Sequence, residues 1–69
     1  MLLREDLNHA VLAAYSAQAY YQKSLLASSN QEKNTLLRFA AQLLAFAHSF
    51  GVSDPTLTQQ IKSAINQAT

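Results

Sequence analysis

Glu5, Asp6 and His9 fall within one helical turn, and His48 lies on a later segment that a folded-back chain brings to the same end. Carboxylates and imidazoles at i, i+3 or i+4 are the donors with which helical bundles hold a metal ion. Here one helix supplies both carboxylates, and the second carries no Glu-x-x-His pair to complete a coordination sphere. The four residues therefore read as solvated first-turn charges and surface histidines, with no metal and no cofactor expected. Nucleophilic chemistry is no better provided for. There is no cysteine, the serines lie in no nucleophile elbow, and one glycine cannot make a glycine-rich phosphate loop. No catalytic residue is assigned, and a non-enzymatic protein is expected.

Composition narrows the class further. Sixty-nine residues form a single small domain, in the size range where one core is marginal and an oligomer often completes it. Hydrophobic residues make up 49% of the chain, an ordinary share, but charged residues only 13%, about half the usual one. The polar surface must be built from Gln, Asn, Ser and Thr, and copies of such a surface repel each other weakly. A net charge of +1 provides no overall attraction to nucleic acid or anionic membrane. Arg4, Glu5 and Asp6 follow Met-Leu-Leu at once, unlike a secretory signal. No apolar run reaches the ~18 residues of a membrane span. A cytoplasmic protein is expected.

The elements that must position any site are helices, and the central one is the segment LLRFAAQLLAFAHSF, residues 36–50. Leu36, Phe39, Leu43, Phe46 and Phe50 recur at the alternating spacing of a helix stripe that packs on a partner. Leu37, Ala40, Leu44 and Ala47 form a second stripe beside it. A helix apolar nearly all round belongs in the middle of an assembly.

Taken in order, the chain reads as an all-α fold of three helices, at about 3–27, 31–50 and 55–68. The first has no Gly or Pro and many alanines, and it carries Glu5 and Asp6 in its first turn. Its expected stripe is Leu3, Leu7, Ala10, Ala14, Ala17, Tyr21 and Leu25. In the polar break that follows, Ser29 and Glu32 have the spacing of a capping box, with Asn30 as an alternative cap. An antiparallel hairpin turning near residue 30 pairs residues equidistant from that turn. Leu25 then meets Leu36, Tyr21 meets Phe39, Ala17 meets Leu43, Ala14 meets Phe46 and Ala10 meets Phe50. Large residues of one helix fall opposite small ones of the other, as close packing requires. Gly51 reads as a left-handed helix cap, and Asp54-Pro55 as the N-cap and first residue of the next helix. That helix carries Leu57, Ile61, Ala64, Ile65 and Ala68 on its apolar side.

More apolar surface remains than a short third helix covers. Val11, Leu12, Tyr15, Ala19, Tyr20 and Leu26 lie off the first helix's stripe. Large exposed apolar patches mark interfaces, and the simplest closure is a homodimer whose two hairpins form a four-helix bundle. Leu12, Tyr15, Tyr20 and Leu44 are the expected protein-binding residues, since tyrosine is enriched at the energetic centres of interfaces. The expected function is that of a protein-binding module, an adaptor, co-chaperone or inhibitor of anti-activator type, for a protein partner of unspecified identity. In architecture the chain resembles the small cytoplasmic helical hairpins that serve as secretion co-chaperones, anti-activators and phage- or plasmid-encoded inhibitors.

One stretch has a more specific likeness. AHSFGVSDPTLTQQIK, residues 47–62, has Ala47, then Gly51-Val52-Ser53 at a turn, Pro55-Thr56-Leu57-Thr58 opening a helix, and Gln60-Ile61-Lys62 after it. This segment resembles the helix-turn-helix of LysR-type transcriptional regulators. The resemblance implies that the second helix enters a major groove, with Thr56, Thr58, Gln59 and Lys62 facing DNA. A small DNA-binding regulator using residues 47–66 is therefore the alternative function. It ranks second because the basic residues are few and scattered, while DNA affinity depends on neutralising phosphates.

Overall fold

Short polar segments divide the chain where their chemistry requires. A computed structural model describes residues 4–68, with side chains from Leu7 to Gln67, as three helices: α1 (Arg4–Leu25), α2 (Asn30–Ser49) and α3 (Pro55–Ala68). Leu3, the expected first residue of α1, lies outside the described residues. The helix ends at Leu25 rather than at Ala27. Its last turn tightens, with the Leu26 and Ala27 amides donating to the Lys23 and Ser24 carbonyls at 3.0 and 3.3 Å. Ser29, not Asn30, caps α2, its hydroxyl accepting from the Glu32 amide at 3.2 Å. The Glu32 carboxylate in turn accepts from the Ser28 hydroxyl at 3.4 Å, so the reciprocal half of the box goes to a neighbouring side chain.

The turn after α2 is a Schellman motif. The Gly51 amide donates to the His48 carbonyl at 2.9 Å and the Val52 amide to the Ala47 carbonyl at 3.0 Å. Gly51 has φ +87°, the left-handed conformation that its lack of a Cβ permits. Val52 then packs against Ala10, Ala13 and Ala47, the apolar contact that accompanies this motif. Asp54 caps α3, its carboxylate accepting from the Leu57 amide at 3.1 Å.

α1 and α2 pack along their length as an antiparallel hairpin, and α3 packs against α2. The 14 residues of α3 span ~21 Å, in a molecule measuring 42 × 16 × 14 Å.

The hairpin forms as expected but turns a different face inward, and Phe39 meets Tyr20. The buried residues of α2 are Leu37, Ala40, Leu44 and Ala47, its second stripe. Phe39 and Phe46 of the first stripe are 49% and 45% exposed, while Leu36, Leu43 and Phe50 are half-buried. On α1, Ala10, Ala13, Ala17 and Ser24 are buried, whereas Leu7 and Leu25 are exposed. Small side chains thus close the α1–α2 contact, and an axis approach lined by alanine leaves no room for a phenylalanine ring. The third helix decides the rest. Leu57, Ile61 and Ala64 pack with Leu37, Ala40, Leu44 and Ala17, so the stripe of α2 lying between α1 and α3 becomes the centre. Buried Ser24 returns its hydroxyl to the Tyr21 carbonyl, satisfying a polar group that the core could not otherwise accept.

Candidate functional site

The outer face of α1 is the largest departure from an ordinary amphipathic helix. Leu12, Tyr15 and Leu26 are 61%, 67% and 87% exposed, and Ala19 between them is exposed too. These four residues follow helical spacing on the side opposite Ala10, Ala13, Ala17 and Ser24, which face α2. The sequence makes them helical for the same reason as their neighbours, an uninterrupted run without Gly or Pro. Their place off the Leu7–Ala10–Ala14–Ala17–Tyr21 stripe is what sets them apart in the sequence.

Tyr20 stands at the border between this face and the hairpin edge. It is half-buried against Phe39, with ring centroids 5.9 Å apart and an interplanar angle of 32°, and the Lys23 ammonium lies 5.6 Å from its ring centre. Offset aromatic pairs and cations over ring faces are both attractive arrangements. A second aromatic pair, Phe46 and Phe50, lies further along α2 with centroids 5.1 Å apart. Phe39 and Phe46 were expected in the hairpin seam and instead belong to the exposed surface. Their size opposite a run of alanines was the signal that could have placed them there.

Leu44 does not belong to this surface. It is 7% exposed and packed among Leu37, Leu57 and Ile61, because α3 lies over it. Of the four expected protein-binding residues, Leu12 and Tyr15 therefore share one open face, Tyr20 adjoins it, and Leu44 is core.

The four residues implied by the helix-turn-helix resemblance lie around the polar arc of α3. Thr56, Gln59 and Lys62 are exposed and Thr58 is half-buried. Thr58 and Lys62 line an open groove of about 630 Å³ against Ala41, Ala45 and His48 of α2, while Thr56 faces the opposite flank beside Tyr21 and Leu25. Of the early acidic and histidine residues, the Glu5 and Asp6 side chains fall outside the described residues. His9 and His48 are both exposed. Among the described residues no group of three or more His, Cys, Asp or Glu side chains is placed to hold a metal ion. Nor is any helix there long and apolar enough to cross a membrane.

The arrangement defines a class: an all-α helical hairpin with a docked third helix, carrying exposed apolar side chains on α1 and along one hairpin edge. No family model, curated protein or solved structure matches the chain.

Proposed function

We propose that this protein is a non-enzymatic binding module that captures another protein through the outer face of α1, in the manner of an adaptor, co-chaperone or inhibitor. The observation that carries this reading is the exposure of Leu12, Tyr15 and Leu26 on one side of one helix. Burying an exposed Leu or Tyr side chain contributes about 1.5–3 kcal/mol, so three of them provide a substantial part of a micromolar affinity of ~8 kcal/mol. The matching partner presents an apolar strip, such as the face of an amphipathic helix, with uncharged polar groups at its border. Asn8, Ser16 and Gln22 supply such a border on α1.

The test places a photo-crosslinking amino acid at Tyr15 in the full chain and irradiates it in host cells. A discrete adduct to a different protein, absent when the crosslinker sits at Ser63 on α3, is the expected result. An adduct formed only from α3, sensitive to nuclease, overturns the reading in favour of a DNA-binding regulator.

A further inference from the structure

The groove of about 630 Å³ between α2 and α3 is lined by those two helices and the turn that joins them, away from the outer face of α1. Leu44 and Ile61 reach it from the core, where they are 7% and 1% exposed. The groove exists because α2 offers small side chains there. Ala41 and Ala45, one turn apart, are too short to fill the space toward α3, and Ala45 stays exposed. Half-buried Ile65 supplies the opposite wall. Sites for small molecules have volumes of roughly 300–1,000 Å³ and join a mostly apolar lining to a few placed polar groups.

The polar groups here favour an anion. Thr58 and Lys62 stand one turn apart on the same side of α3. Helical side chains lean toward the helix N-terminus, which inclines the Lys62 ammonium toward the Thr58 hydroxyl. An ammonium and a hydroxyl side by side match a carboxylate, with one charge-assisted and one neutral hydrogen bond. From α2 the groove receives one polar side chain, His48, whose ring N–H is a further donor. Asp54 also borders the groove, but its carboxylate accepts from the Leu57 amide at 3.1 Å in the cap of α3. Lys62 is rooted ~12 Å further along that helix, beyond the ~8 Å over which exposed charges act in physiological salt.

We infer that the α2–α3 groove binds a small amphipathic carboxylate, its apolar body on Ala41, Ala45 and Ile65 and its carboxylate at Lys62 and Thr58. The site stands apart from the proposed capture surface, and neither depends on the other.

Calorimetric titration of the full chain with octanoate, and with uncharged octanol, tests it. The expected result is saturable one-site binding of octanoate that Lys62→Ala weakens about tenfold, while octanol binding changes less than about twofold. Ala45→Leu, which fills the groove from an exposed position, weakens both ligands by about tenfold. Leu12→Ala with Tyr15→Ala leaves octanoate binding unchanged. Absence of saturable binding overturns the inference, as does a Lys62→Ala effect that is missing or equal for the two ligands. Binding that disappears with Leu12 and Tyr15 overturns it too, because the ligand then sits on α1. If Ala45→Leu lowers the helical circular dichroism, amide shifts of the wild-type chain on adding octanoate decide. Shifts at Ala45, Lys62 and Ile65 support the groove, and shifts confined to α1 overturn it.

Discussion

Tyr20 of α1 lies against Phe39 of α2, ring centroids 5.9 Å apart, with the Lys23 ammonium over the tyrosine ring. The contact joins the two long helices at their edge and not along their centre, where alanines meet. Aromatic side chains on this hairpin therefore work at the boundary between the fold and whatever it touches. The interior is held by aliphatic residues between α2 and α3.

That division orders the cost of truncation. Leu37 is fully buried, so Leu37→Ala removes core contacts on every side and destabilises by about 2–5 kcal/mol. Phe46→Ala removes a larger side chain that is nearly half exposed, and loses less in the isolated chain. Urea unfolding of the two variants under monomeric conditions measures the order. A greater loss for Phe46→Ala would show that the phenylalanine stripe is the true seam.

The close approach of α1 and α2 has its own signature. Ala17 is fully buried against both α2 and α3, so Ala17→Leu forces three methylene-sized groups into filled space and costs about 1–3 kcal/mol. Ala19→Leu, two positions along on the exposed face, stays within about 0.5 kcal/mol of wild type. Thermal unfolding followed by circular dichroism separates the pair. Equal effects at both positions would mean that α1 does not present this face to α2.

These same residues explain what the amino-acid order reveals and what it withholds. Ser29, Gly51 and Asp54-Pro55 were legible because capping depends on the chemistry of one or two residues and the next turn of backbone. The apolar side of α3 was legible at Leu57, Ile61, Ala64 and Ile65 because that helix has only one, while the Ala68 side chain lies outside the described residues. The long helices were ambiguous by one stripe. Leu36–Phe39–Leu43–Phe46 and Leu37–Ala40–Leu44–Ala47 share a period, and only the placement of α3 selects which becomes the centre. Leu44 was misplaced as a surface residue for that reason. Ser24 was not expected inside, since its burial relies on a hydroxyl turned back to its own helix.

Gly51 provides a test of local conformation free of packing. A Cβ built there meets no atom within 4 Å, so only the positive φ opposes a side chain. Gly51→Ala should cost about 1–2 kcal/mol from the left-handed backbone alone, and Gly51→Asn less, because asparagine tolerates that region better. The comparison is made by urea titration. A loss for alanine well above this range would reveal a contact that the open space does not contain.

The outer face of α1 and the exposed arc of α3 carry competing functions that substitution separates. Leu12 and Tyr15 make little contact with the rest of the chain, so Leu12→Ala with Tyr15→Ala leaves Tm nearly unchanged while abolishing partner capture. Gln59→Ala with Lys62→Ala, on the exposed arc of α3, should leave capture intact. A DNA-binding regulator requires the reverse, since removing Lys62 takes away a phosphate contact and with it affinity for every sequence. Capture measured with both double variants at matched helicity, alongside retention on nonspecific duplex DNA, therefore discriminates the two functions in one set of proteins. DNA retention that disappears only with Gln59 and Lys62 would transfer the function from α1 to α3.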